Sequence, residues 1–168
     1  MKKYAKGISK MEKINLILNN PEFINCLNKN QEFEIDRIYC SHNEQHFLDV
    51  ARVAYIMNLE DGLAIEKEII YAMGLLHDIG RWMEYEKGID HAIASSTLAE
   101  GILKKCGFSK ENIDVILIAI EGHRKNEGFS IVGKLLYKAD KLSRNCVSCK
   151  ARSTCKKFQN HENPFLQY

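Results

Sequence analysis

Apolar residues recur along this chain at the three- and four-residue spacing of a helix, and no strand-like alternation persists anywhere. The clearest stripe runs from about 43 to 59 (NEQHFLDVARVAYIMNL), where Phe47, Val50, Val53, Ala54 and Met57 share one face and Glu60-Asp61-Gly62 ends the pattern. A first helix is expected over about 10–19, stopping at Asn19-Asn20-Pro21. Pro21 suits the opening turn of a second helix striped by Phe23, Ile24 and Leu27. IEKEIIYAMGLLHDI, about 65–79, predicts a helix closed by Gly80 as a natural C′ residue. Asp90 can cap a helix over about 91–105. Ser109 opens another to about 123, and Ser130 one over about 131–143. After Ser143 the chain turns to Cys, Lys, Ser and Asn, which predicts an irregular tail. The expected class is therefore all-α: a compact helical bundle with a short, cysteine-containing C-terminal tail.

Length and composition add bounds. A chain of 168 residues, 45% hydrophobic and 27% charged, fits one domain, or one domain and a small appendage. The expected division is N-terminal helices over 1–40, a core domain over 41–144 and a cysteine-rich basic tail over 145–168. Net charge is only +2, too small for a general nucleic-acid binder, and no nucleic-acid-binding signature is present. Residues 133–168 are nonetheless basic, with eight Lys/Arg against Asp140 and Glu162. That end either attracts an anion such as a polyphosphate or is a solvated charged face. No run of about 18 apolar residues exists, so no membrane partner is expected. The basic N-terminus has only a short apolar stretch, broken by Asn15, and no small-residue cleavage site. A cytoplasmic location is the expectation, and six cysteines there suggest thiols or metal ligands before disulfides.

Six residues carry the chemistry. His46, the pair His77-Asp78, His91, His123 and Asp140 each fall where a helical stripe would place an apolar side chain. Histidine and aspartate are costly there without a partner. One such histidine is usually a satisfied core or surface residue, but six positions each needing a private partner are far less common. A metal site is the economical reading, and six ligands suffice for two ions sharing a carboxylate. Imidazole with carboxylate favours Zn, Fe, Mn, Ni or Co over calcium. Neighbours on a helix point about 100° apart, so His77 and Asp78 face one pocket only if a helix end looks into it. Asp78 could then bridge two ions while His77 binds one.

His46 within QHFLDVARVA, His77-Asp78 within LLHDIG and Asp140 within YKADKLS resemble the HD superfamily of metal-dependent phosphohydrolases, over about 42–144. His91 in IDHAIAS and His123 in AIEGHR look like the two extra ligands of its dinuclear branch. That branch includes the bacterial diadenosine tetraphosphate hydrolases and the cyclic-di-GMP phosphodiesterases. The Gly-Tyr-Pro motif of the latter is not found here. The resemblance implies a compact helical HD domain and two divalent transition metals. His46, His77, Asp78 and Asp140 would hold one, and His91 and His123 with bridging Asp78 the other. It implies cleavage of a nucleotide or related small-molecule phosphate ester by a metal-bridging hydroxide. The alternatives are a non-catalytic nucleotide or redox sensor on the same scaffold and, ranked lower, a di-iron oxygenase. Oligomeric state is left open.

Beside Asp78, the candidate catalytic groups are Arg81, Lys141 and Arg144, which could hold the remaining phosphate; Arg124 and Lys125 are weaker candidates. His42 could share a helix face with His46 and orient a ligand or touch substrate, but a helix-start residue without catalytic role is the favoured reading. Among Trp82, Tyr85, Phe108, Phe129 and Tyr137, Trp82 is best placed to stack on a base, although core packing is the commoner fate. Cys146-x2-Cys149-x5-Cys155 suits a structural zinc or an iron–sulfur cluster, with Cys40, Cys106 or His161 as the fourth ligand; His161 extends the local pattern. The plain reading is free thiols or one disulfide, and Cys26 and Cys106 read as ordinary partly buried residues.

Overall fold

The computed structural model describes residues 11–124, 130–158 and 166–168. Eight α-helices follow in order: α1 Glu12–Leu18, α2 Pro21–Phe33, α3 Glu44–Glu60, α4 Lys67–Leu76, α5 Arg81–Lys87, α6 His91–Lys105, α7 Lys110–Gly122 and α8 Ile131–Leu142. Two single 3-10 turns, Arg152–Thr154 and Lys156–Phe158, follow in the tail. No strand occurs among the described residues, and no helix there is long and apolar enough to cross a membrane.

The helix starts are set by side-chain caps. Asn20 accepts from the Glu22 and Phe23 amides ahead of Pro21, Asn43 from His46, Asp90 from Ala92 and Ile93, Ser109 from Asn112 and Ser130 from Gly133. Each such cap is worth about 1 kcal/mol. Helix α4 is apolar nearly all round and runs through the middle, packed by α3, α7 and α1. α8 lies against α3 and α7, and α6 against α7 and α5. Phe47, Val50, Ile70, Met73, Leu76, Ile116, Ile120 and Leu136 fill the centre with no exposed surface. Burial of such side chains is the main favourable term in folding.

Two features differ from the pattern-based expectation. α4 ends at Leu76 rather than near 79, and a helix not read from the stripe pattern, α5, begins at Arg81. Gly80 is not a left-handed cap, since its φ is −89°. It is required because α6 passes close by: a Cβ there would sit 2.5 Å from the Ser95 nitrogen and 2.7 Å from the Ala94 carbonyl carbon. His77 to Gly80 therefore form a tight corner between two helices. That corner aims adjacent side chains into one pocket.

Candidate metal centre

Five elements deliver the six expected residues to one place. His46 projects from the first turn of α3 and Asp140 from the last turn of α8. His77 and His123 are the residues closing α4 and α7, and His91 opens α6. Helix ends leave room for a side chain to turn off the helix axis. Asp78 follows in the corner and is 3% exposed.

The donors meet in two groups, His46, His77 and Asp140 in one and Asp78, His91 and His123 in the other, each with its ligand atoms within 4.8 Å of one another. Asp78 spans both. Its Oδ1 lies 3.3 Å from His91 Nε2 and 3.4 Å from His123 Nε2, while its Oδ2 lies 3.5 Å from His77 Nε2. Asp140 Oδ1 lies 3.3 Å from His46 Nε2 and 4.0 Å from His77 Nε2. Two ligand atoms each about 2.1 Å from a common ion stand roughly 3.0–3.4 Å apart, so most of this spacing is already that of a coordination shell.

Orientation is built in. His77 Nδ1 donates to the Gly74 carbonyl at 2.7 Å and His123 Nδ1 to the Ile120 carbonyl at 2.5 Å. His91 Nδ1 lies 2.6 Å from Glu84 Oε2. With its far nitrogen anchored, His77 Nε2 faces the pocket with a free lone pair, while His91 Nε2 and His123 Nε2 lie beside Asp78 Oδ1 and His91 Nε2 is also 3.2 Å from Arg81 Nη1. Buried His46 Nε2, His77 Nε2 and Asp78 Oδ1 have no hydrogen-bond partner in the protein. A buried polar atom left unsatisfied costs about 1–3 kcal/mol, and three of them sharing one pocket fit a missing cationic partner. The donor set therefore fits divalent transition metals.

Electrostatics prepare most of the ligands. Complete burial pushes His77 down to about 3, so it is neutral at physiological pH. Burial also lowers His91, aided by Arg81. Burial alone would raise Asp78, but His77, His123 and His42 hold it well below the usual carboxylate range. Asp140 is likewise buried yet held far down by His46 and Arg144. His123 runs the other way: burial opposes its charge, but the neighbouring Asp78 carboxylate prevails and raises it. Neutral imidazoles and ionised carboxylates are the ligand-competent forms.

A cavity of about 650 Å³ opens on this cluster. Arg81, Lys141 and Arg144 all line it, as do Arg124 and Tyr137. Arg144 donates to Asp140 Oδ1 at 2.6 Å and to the Asp140 carbonyl at 3.2 Å, and Lys141 Nζ donates to Asp140 Oδ2 at 2.9 Å. Arg81 Nη1 lies 2.8 Å from His91 Nδ1, and its Nε donates to the Tyr85 hydroxyl at 3.2 Å. Trp82 is instead a core residue with Lys29 over its ring at 3.9 Å, because α5 turns it inward. Phe108 is also in the core. Lys125, Phe129 and His161 lie outside the described residues.

Sequence reasoning misplaced His42. It precedes α3 and is 4% exposed, held by Glu34, which takes its backbone N–H at 2.7 Å and its Nδ1 at 2.5 Å. Its Nε2 lies 3.4 Å from Asp78 Oδ2, so it is part of the pocket and not a plain helix-start residue. Glu34 also accepts from the Tyr85 hydroxyl at 2.7 Å. Burial pushes its carboxyl up, but the His42 and Tyr85 bonds overcome this and hold it at about 2.

Asn30 went unmarked too. Fully buried on α2, it donates to the Asp78 carbonyl at 2.9 Å and accepts from the Trp82 amide at 2.8 Å, clamping the corner. Asn30→Ala is expected to cost about 2 kcal/mol by stranding both backbone groups, read as a lower denaturant midpoint. An unchanged midpoint would show that the corner holds without it. Nothing local in sequence marks Glu34 or Asn30, since each acts across the fold.

Comparison with known proteins agrees with this geometry. Residues 43–145 match the HD domain. An uncharacterized protein of Clostridium beijerinckii is 44% identical over 94% of this chain and 100% of its own length. Ribonuclease Y of Acetivibrio thermocellus is 31% identical over 74% of this chain, but the match spans only 21% of that longer protein. A crystal structure described as a predicted HD superfamily hydrolase from an uncultured Thermotogales bacterium superposes with a TM-score of 0.59 at 26% identity, over 88% of this chain and 81% of that one. With its His/Asp clusters in the matched region, the chain belongs to the HD domain family.

Proposed function

We propose that this protein is a metal-dependent phosphohydrolase with a two-ion centre, acting on a nucleotide or related small phosphate ester or anhydride. The observation that carries this reading is the trio of orphaned buried donors, His46 Nε2, His77 Nε2 and Asp78 Oδ1, distributed over two ligand groups that Asp78 bridges. A structural neighbour described as a hydrolase and relatives named ribonuclease Y support hydrolytic chemistry at a phosphate. The cavity volume of about 650 Å³ lies in the range of small-molecule sites.

His46, His77, Asp140 and Asp78 Oδ2 would hold one ion, and His91, His123 and Asp78 Oδ1 the other. Two divalent ions supply Lewis-acid polarisation of the phosphoryl group and a water acidified toward neutral pH. The chain does the rest. Arg81, Lys141 and Arg144 place positive charge on the cavity wall, where the substrate's remaining phosphate oxygens lie. Arg144 and Lys141 also fix the rotamer of Asp140. His42 belongs to neither ligand group, and Glu34 behind it sets its tautomer, so its Nε2 is placed to carry a proton at the cavity wall. His42→Ala is expected to lower kcat about 10–100-fold with metal content unchanged. Loss of metal in step with kcat would instead make His42 a ligand.

The test is phosphate release from nucleotides, dinucleoside polyphosphates and a nitrophenyl phosphodiester. It compares chelator-stripped protein with protein reloaded with Mn, Fe, Co, Ni or Zn. Hydrolysis of at least one class, lost on stripping and restored on reloading, is expected. Stoichiometric nucleotide binding with no turnover in the fully loaded protein would overturn the enzyme reading in favour of a sensor.

A further inference from the structure

The described segment from Asn145 to Phe158, after α8, has little of its own to hold it. From Asn145 to Phe158 no residue is buried, and the backbone makes only isolated turns. Tyr39 reaches over to it, its hydroxyl 3.4 Å from the Thr154 carbonyl. Ordering such a stretch costs on the order of 1 kcal/mol per residue, and no fully buried apolar side chain within 145–158 offsets that. The residues that turn partly inward include all three of its cysteines, Cys146, Cys149 and Cys155.

A fourth cysteine from the far side of the sequence lines the same cavities, although no three of the four sulfurs stand within 4.8 Å of one another, so a metal would have to draw them together. Cys40, Cys146 and Cys149 line one cavity of about 320 Å³, and Cys40 and Cys155 line the adjoining active-site cavity. Burial pushes the Cys146 thiol up, Lys157 lowers it, and Cys40, Cys149 and Cys155 raise it further. None of the four is in a disulfide, and each is half-buried. Cations stand ready to balance thiolate charge: Lys157 Nζ lies 4.0 Å from Cys146 Sγ, and Arg144 lines both cavities with Cys40. Cys106 is elsewhere, beside Asn20 at the end of α6, and Cys26 lies beside Trp82.

We propose that Cys40, Cys146, Cys149 and Cys155 form a four-thiolate centre for a soft metal, a zinc ion or an iron–sulfur cluster, which pins the tail at the mouth of the active-site cavity. Four cysteines complete either kind of site, with the C-x2-C and C-x5-C spacings supplying three and Cys40 closing the shell. The metal-ligand bonds supply the stability that burial does not. The centre also adjoins the hydrolytic pocket, because Arg144 lines both cavities with Cys40 and donates to Asp140 Oδ1 at 2.6 Å. In this proposal Cys40, one of the three candidates the sequence offers, is the fourth ligand, and His161 lies outside the described residues.

The experiment is zinc, iron and acid-labile sulfide content, with the visible spectrum, on anaerobically purified wild type, Asp78→Ala, Cys40→Ser, Cys149→Ala and Cys106→Ala. Thiolate-bound metal is expected to persist in Asp78→Ala and Cys106→Ala and to vanish in both Cys40→Ser and Cys149→Ala. About one colourless zinc per chain identifies zinc, and sulfide with broad visible absorption identifies a cluster. Because the cysteine variants could fail to fold, unmutated protein is also titrated with a mercurial, which is expected to release that metal as the thiols react. Equal metal in wild type and both cysteine variants, or no metal released by the mercurial, overturns the centre. Loss in Cys149→Ala but not in Cys40→Ser overturns the assignment of Cys40.

Discussion

Asp78→Ala is expected to abolish hydrolysis, with turnover falling by at least about three orders of magnitude, the upper end of what removing one group that stabilises transition-state charge costs. The reason is position. One carboxylate oxygen faces His91 and His123 and the other faces His77, so its loss empties a place in both ligand groups at once. His91→Ala removes one donor from one group, and its effect is expected to be smaller. Asp78→Ala should also bind fewer than two ions at the His/Asp pocket. The measurement pairs metal content with phosphate release on the same preparation. A variant that turns over normally after metal stripping would contradict the assignment.

Gly80→Ala is expected to be the most damaging single-methyl change, costing about 2–3 kcal/mol and lowering Tm by roughly 5–10 °C. The added Cβ would strike the Ser95 nitrogen and the Ala94 carbonyl carbon, both backbone atoms of α6 that cannot swing aside. Relief requires moving α6, which carries His91, away from the corner that carries His77 and Asp78. The Gly80 amide also donates to the Ser95 hydroxyl at 2.9 Å, a bond the shift would stretch. Metal retention should fall with stability. Gly101→Ala on the same helix meets nothing within 4 Å. It should instead stabilise, by up to about 1 kcal/mol. Thermal melts of the two variants separate backbone collision from helix propensity. A Gly80→Ala melt matching wild type would refute the close-approach argument.

The helical stripes predicted seven of the eight helices because each stripe follows one face packed on α4 or its neighbours. α5 escaped because its seven residues bury only Trp82 fully, too little for a periodic signal. Gly80 read as a helix stop from sequence, since the approach of α6 that requires it comes from fifteen residues further on. His46, His77, Asp78, His91, His123 and Asp140 were legible because a polar residue in an apolar stripe stands out locally. Glu34 and Asn30 were not, because they act through partners 8 and 48 residues away. Cys40 was one of three sequence candidates for the fourth thiolate position, and only the fold carries the tail back to it.

The central claim is a two-ion centre bridged by Asp78, and anomalous scattering from crystals of metal-loaded protein tests it most directly. The account predicts two peaks about 3.5–4 Å apart, one among His46, His77 and Asp140 and one between His91 and His123, with the Asp78 carboxylate touching both. No peak in this pocket, or a single ion that leaves His91 and His123 unliganded, would contradict it.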